Sequence, residues 1–394
     1  MLALLPTQVL IEIENYIKID TDFSQIKEKQ RQRLVKELAS LWYFIYNKQQ
    51  ETNKPNLRKL KRIHHDDFRK FRFKLKRKDY GYAKLLKILE FAKLIRINPN
   101  HLAGQYSYSY KVLTSFISKG NLTMCEVDFD KIFKNTENKE HWLGTYPEHD
   151  HLINDIYFSS IDLDDYLHWM LQNKGIELKP KLKDGKLLRR WLTNEVMCAS
   201  FSAALKLNLK NIWIKKSDEG RFYSSVSNLP STSVQFLKLN GASTFDIDIK
   251  NSQPLLLSVL LPKSQKQYKK DVESGIFYEK VAAEMGITRD IFKSYSYKYV
   301  FFNLNELKSG KIYKAFNNVY PGLIDEINKI KKNTKLAHKL QEMESDIFVK
   351  NIGKLPFPKL LRHDQVIVTK ENLDLVKKYL RLEYNKIGIN VNLD

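Results

Sequence analysis

FDIDIKNSQPLLLSVLL (245–261) is the stretch on which the fold turns. Its start alternates. Phe245, Ile247 and Ile249 fall on one face of a strand, and Asp246 and Asp248 on the other. Asn251-Ser252-Gln253-Pro254 then breaks the strand, and the apolar run that follows reads as a helix. An acid at a strand end beside a helix start is well placed to hold Mg²⁺, which prefers oxygen ligands and keeps some of its waters. A surface strand with two solvated acids has the same pattern, so the neighbouring segments must discriminate.

Downstream, LLRHDQVIV (360–368) reads as a second strand, with His363-Asp364 at a break in its apolar run. If that break is a hairpin turn beside the first strand, two carboxylates meet. Two metal ions about 3.5–4 Å apart could then clamp the attacking and leaving oxygens of an in-line displacement. Between the two strands in sequence lies TRDIFKSYSYKYVFFN (288–303). It sets Arg289, Lys293, Tyr297 and Phe301 at steps of four, on one helical face. Two cations at one end suit a triphosphate, and a ring further along suits a base. An amphipathic helix packing its aromatics would look the same.

Together these segments, with GRFYSSVSNL (220–229) before them, resemble a reduced DNA polymerase I-type (family A) polymerase domain over about 175 residues, 220–394. GRFYSSVSNL is similar to that family's primer-template segment, with Arg221 and Asn228 as the matching polar positions. FDIDIKNSQP resembles motif A. Asp248 is then the metal ligand, although Asp246 is an alternative two residues away. Gln253 takes the place of the Glu that crowds the ribose 2′-OH. The 289–301 helix resembles motif B, with Phe301 for its final Tyr, and RHDQV resembles motif C, with Gln365 for Glu. HKLQEMESDIF (338–348) is similar to the helix carrying a template-contacting Gln, here Gln341, five residues before Asp346.

The resemblance implies an α+β fold: a polymerase palm with an antiparallel sheet, and helical fingers. It implies Asp248 and Asp364 as ligands of two Mg²⁺ ions, with His363 shaping the turn. Arg289, Lys293, Tyr297, Phe301 and Gln253 line the nucleotide, and Lys293 supplies a proton to the leaving pyrophosphate. Arg221, Asn228 and Gln341 touch the primer-template. The expected activity is DNA-directed DNA synthesis without a proofreading exonuclease, since no D-x-E arrangement of the kind that exonuclease needs occurs before residue 150. The alternatives are an RNA polymerase or primase of the same fold, a template-independent polymerase of a mobile or defence element, and a non-catalytic DNA-binding replication protein.

The rest of the sequence sets bounds. Hydrophobic content of 43% with 12% aromatics is globular, and a formal charge of +22 favours a polyanionic partner such as nucleic acid. Lys-rich composition from AT-rich coding would also raise that charge. Cys125 and Cys198 are far apart, without metal-ligand spacing, which fits a reducing cytoplasm rather than a disulfide framework. No apolar run approaches a membrane span, and the start lacks the basic region of a secretory signal. RLVKELASLWYFIYNK (33–48) reads as a helix, and 54–79 as a basic helix face or a phosphate-tracking surface. Residues 81–113 run helix, strand, polar turn, strand, as a winged helix ends, or as a generic α+β piece. The expected division is a basic, winged-helix-like, nucleic-acid-binding region at 1–115, a linker with helical patterns at 161–175 and 186–207 and a helical thumb (116–215), and palm with fingers (216–394).

Overall fold

The computed structural model describes residues 2–50, 61–63, 65–75, 78–98, 109–113, 121–132, 142–183, 186–303 and 305–393. It is an α+β protein whose contacts divide it into two units: residues 1–138, 163–176 and 191–211, and residues 139–162, 177–190 and 212–394. The 116–215 stretch is therefore not a body of its own but is shared between the units.

In the first unit, β1 (Leu2–Pro6) leads into α1 (Thr7–Ile19) and the long α2 (Glu28–Gln50). Helix α2 buries Leu34, Leu38, Leu41, Trp42 and Ile45, the three- and four-residue spacing that the sequence showed. The described part of 54–79 holds no α-helix, only a 3-10 turn at His65–Phe68. It holds β2 (Lys61–Arg62) and a hairpin of β3 (Arg72–Leu75) with β4 (Lys78–Gly81). Alternating Phe71 and Phe73 bury against this unit while the intervening Arg72 faces solvent, a period of two that outweighs the Lys and Arg content. Next come α3 (Tyr82–Phe91), β5 (Ile95–Asn98) and β6 (Ser109–Val112), with sheet order β2-β6-β5. The expected polar turn at 99–108 lies outside the described residues. Strand β7 (Leu122–Glu126) pairs with β1, and helices α4 (Leu163–Gln172) and α5 (Asn194–Asn208) complete the unit.

The second unit is built on a five-stranded antiparallel sheet. Its strands are β8 (Ser159–Ile161), β13 (Leu237–Leu239), β14 (Ala242–Asp248), β15 (Leu360–Arg362) and β16 (Gln365–Thr369), in the order β15-β16-β14-β13-β8. Val366, Ile367 and Val368 are all fully buried, as expected of an inner strand covered on both faces. Two further hairpins belong here: β9 (Glu177–Lys183) with β10 (Lys186–Trp191), and β11 (Ile214–Lys216) with β12 (Phe222–Ser224). Residues 186–191 are thus strand where a helical thumb was expected. The Asp184-Gly185 dipeptide between β9 and β10 is a hairpin signal that the helical reading overlooked.

Helices fill the interval between β14 and β15. They are α6 (Ser252–Leu260), α7 (Lys266–Glu273), α8 (Phe277–Met285), α9 (Arg289–Tyr295), α10 (Lys311–Val319), α11 (Leu323–Asn333) and α12 (Leu336–Ser345). Helix α13 (Leu373–Lys386) follows β16 and returns against β14. Among the described residues no helix is long and apolar enough to cross a membrane.

Candidate functional site

Strand β14 buries Ile247 and leaves Asp246 and Asp248 exposed, as alternation requires. Phe245 shares the parity of the buried isoleucines but stays 42% exposed, so the apolar face covers less of the strand than the pattern implied. The chain then turns sharply at Asn251, whose φ of 59° is left-handed, a region Asn tolerates better than most residues. That turn starts α6, which opens on Ser252 and Gln253.

Strand β14 pairs with β16 so that Asp248 faces Gln365 and Asp246 faces Ile367. Strands β15 and β16 close on the pair Arg362–Gln365, leaving His363 and Asp364 as a two-residue turn. His363 has a φ of 56° and Asp364 does not have a positive φ, the φ pattern of a type II′ hairpin turn. The Ile249 amide donates to the Asp364 carbonyl at 3.4 Å. Asp248, rather than Asp246, therefore stands next to Asp364. The His363 ring lies edge-on to Tyr223, 5.4 Å between centroids. Loss of water around it and the positive charge of Arg221 hold its pKa below the usual value, against the pull of Asp364.

Arg362 donates to the Leu229 carbonyl at 2.7 Å and lies in the field of Asp246, Asp248 and Asp364. Burial pushes its pKa down and the three carboxylates oppose that. The donor set Asp248 and Asp364 fits Mg²⁺, a hard cation that uses one or two carboxylates and completes its shell with water and phosphate. Among the described residues no group of three or more His, Cys, Asp or Glu side chains is placed to hold a metal.

The residue that sequence reading missed is Glu344. It sits on α12, 2% exposed, four residues after Leu340 in the apolar stripe begun by Leu336. A carboxylate at a step of four in an apolar stripe must find partners, and that signal was legible. Its Oε2 accepts from Gln253 Nε2 at 2.6 Å, and its Oε1 lies 2.7 Å from Arg221 Nη2. Burial pushes the Glu344 pKa up to about 7. Arg221 opposes this, Asp364 adds to it, and the Gln253 hydrogen bond opposes it. Arg221 is thus held in an ion pair with Glu344, while Asn228 is exposed and Gln341 half-buried. Asp346 is exposed and pairs with Lys350 at 2.6 Å.

The raised pKa has a thermodynamic consequence. Glu344 binds a proton more tightly folded than unfolded, so its contribution to stability is highest below pH 4.5 and falls as pH rises to about 7. In magnesium-free buffer, the unfolding free energy of Glu344→Gln relative to wild type should improve between pH 5 and pH 8, by on the order of 2 kcal/mol. Urea titrations at the two pH values measure it. A difference that does not change with pH removes Glu344 as a buried, titrating group.

Gly220 precedes Arg221 with a φ of +81°, and a Cβ there would come 2.8 Å from Ser345 Oγ. This close approach brings the 220–229 segment against the end of α12. Gly220→Ala should lower stability by about 1–3 kcal/mol, from left-handed strain and the contact with Ser345. A variant with the wild-type urea midpoint overturns that assignment.

Arg289 and Lys293 on α9 each lie 5.7 Å from the Tyr278 ring centroid, within cation–π range. Arg289 also pairs with Glu279 at 2.7 Å and Asp290 at 3.4 Å. After Tyr295 the helix widens into a π-helix, Ser296–Phe301. A π turn holds more residues than an α turn, so a step of four no longer returns to the same face. Phe301 is 1% exposed and packs in the core, its ring centroid 5.8 Å from that of Tyr297. Tyr297 stacks on Phe302 at 5.6 Å, and burial with the negative charges of Asp364 and Glu344 pushes its pKa up to about 12. Hairpin strand β9 packs on α9.

No family model, no curated protein and no solved structure matches this chain.

Proposed function

We propose that the chain is a nucleic-acid polymerase that adds nucleotides by two-metal catalysis. The observation that carries this reading is the strand register that sets Asp248 beside Asp364, with Tyr297 of the Arg289/Lys293 helix in the electrostatic field of Asp364. In this reading the sheet is the palm and the helices between β14 and β15 are the fingers. Asp248 and Asp364 would hold Mg²⁺, which when bound would supply charge neutralisation for the phosphoryl oxygens. The 3′-hydroxyl of a primer gives up its proton to solvent and its oxygen attacks the α-phosphorus of a nucleoside triphosphate. An O3′–P bond forms, the bond from the α-phosphorus to the β-phosphate bridging oxygen breaks, and pyrophosphate leaves. Arg289 and Lys293 bind the triphosphate, and Lys293 protonates the departing oxygen. Tyr297 stacks on the base, His363 shapes the turn, and Asn228 and Gln341 face the primer-template.

The first unit is proposed as the nucleic-acid-binding region. In support, α3 is followed by the antiparallel pair β5–β6, as a winged helix ends, although the β3–β4 hairpin intervenes between β2 and α3. The chain's +22 charge suits a phosphate backbone. Extension of a labelled DNA primer, with and without template, using dNTPs or NTPs and Mg²⁺, tests the reading. Addition that is lost in Asp364→Ala supports it. Absence of addition under every condition, with nucleic acid still bound, overturns it in favour of a non-catalytic binding protein.

A further inference from the structure

We propose that the concavity between the 305–310 loop and α11 is a binding site for phosphate-type oxyanions, with Lys331 as its inner cation and Lys308 and Lys332 as its outer ones. It uses none of the residues assigned to the metal ions or the nucleotide, so it stands whether or not the polymerase reading does.

The site is built on a fixed loop. Asn328 of α11 is 8% exposed. Its Oδ1 accepts from the Leu307 amide at 3.0 Å, and its Nδ2 donates to the Leu307 carbonyl at 2.9 Å. One side chain thus satisfies both backbone groups of a loop residue, as a neighbouring strand would. Asn303 Oδ1 accepts from the Asn305 amide at 3.0 Å, a local turn that steadies the same loop. Glu306 and Lys308, on either side of the clamped Leu307, are thereby held against the end of α11. With Asn305, Lys331 and Lys332 they line a concavity of about 500 Å³.

The charges inside do not balance. Glu306 is the one carboxylate of the lining, and it is shared, 3.1 Å from Lys308 and 3.6 Å from Lys332. Lys331 is half-buried, and its ammonium donates to the Asn305 carbonyl at 3.3 Å. Among the described residues no carboxylate is within ion-pair distance of it. Three lysines against one glutamate leave two positive charges in the lining. An ammonium withdrawn from water without a counter-charge costs free energy, which an arriving anion offsets. Burial accordingly holds the Lys331 pKa below its ordinary value.

The lining also selects the ligand. Every lining side chain is polar or charged, which disfavours an apolar guest. Ammonium groups only donate, so the guest must be an acceptor. A single carboxylate among three ammonium groups repels a metal cation. A phosphate group offers several charged oxygens to separated point-charge donors, which is how lysine binds it. A nucleic-acid backbone and a free diphosphate both carry that group.

The probes are inorganic pyrophosphate and a short oligo(dT), each titrated calorimetrically into the full chain without Mg²⁺ at about 0.1 M salt. Lys331→Gln should weaken binding by about fivefold, the effect of losing one contact that releases a counterion. For the oligonucleotide it should also flatten the slope of log affinity against log salt by about 0.7. Glu306→Gln, which frees Lys308 and Lys332 of their shared carboxylate, should tighten binding by about threefold to fivefold. Lys329→Gln and Glu326→Gln make the same charge changes in an ion pair of α11 that does not line the concavity, 2.7 Å apart. They should alter affinity by less than about twofold. Opposite responses of Lys331→Gln and Glu306→Gln with the oligonucleotide assign the site to backbone phosphate. The same responses with pyrophosphate alone assign it to a free diphosphate. Equal effects of the concavity and control variants show overall charge alone and overturn the site, as does unchanged affinity in Lys331→Gln and Glu306→Gln with both probes.

Discussion

Asp364→Ala and Asp248→Ala should each lower nucleotide addition by about 10³-fold or more, while nucleic-acid binding and folding are retained. The loss is large because each carboxylate is a ligand in the proposed two-metal clamp, and a bound ion contributes several kcal/mol of charge stabilisation in the transition state. Folding is retained because Asp248 is exposed and Asp364 half-exposed, and surface substitutions usually change stability by about 0.5 kcal/mol or less. Asp246→Ala is the internal comparison. It lies on the same strand face but opposite Ile367, two residues further from the turn, and its loss should reduce the rate by less than about tenfold. Single-turnover extension with Mg²⁺ and circular-dichroism melts measure both sides. If Asp248→Ala retains activity and Asp246→Ala does not, the ligand assignment moves by two residues. If neither Asp248→Ala nor Asp364→Ala loses activity, the site is elsewhere.

Lys293→Ala should lower kcat by about 10²–10³-fold, the usual cost of removing one preorganised cation from a developing anion. Arg289→Ala should act chiefly on KM. The difference follows from their partners. Arg289 already pairs with Glu279 and Asp290, so much of its charge is balanced. Lys293 lies over the Tyr278 ring, and among the described residues no carboxylate is within ion-pair distance of it. A cation whose charge is unbalanced by carboxylates is the better one to meet charge that appears only in the transition state. Lys293→Arg keeps the charge but not the ammonium proton donor, so it should recover triphosphate binding more than rate. Steady-state kcat and KM for the variants decide this. Equal, purely KM effects at both positions would remove Lys293 from proton transfer.

The site was legible where the chemistry lies on one local period. The alternation of FDIDI and the apolar run VIV announced two strands, and His363-Asp364 was readable as a break in the second run. The 289–301 helix was legible as a helix, but its last turn was not. The π-helix after Tyr295 carries Phe301 in the core, and nothing in steps of four foretells a wider turn. The β9–β10 hairpin was misread because cations and leucines in KLKDGKLLRRW suit a helix as well as a strand. Its Asp-Gly dipeptide was the better guide.

Sequence by itself determined the strand that ends in Asp248, the break at His363-Asp364, the cationic helix and the basic balance of the chain, because each is written in a local period or in composition. The pairing that makes a site of them is tertiary. Asp248 and Asp364 are 116 positions apart, and only the β14–β16 register puts them side by side and separates Asp248 from Asp246. The partners of Arg221 were likewise decided by folding. A guanidinium read as a surface contact is held by Glu344, because a carboxylate in the apolar stripe of α12 could be buried only with a cation and an amide brought to it from distant segments.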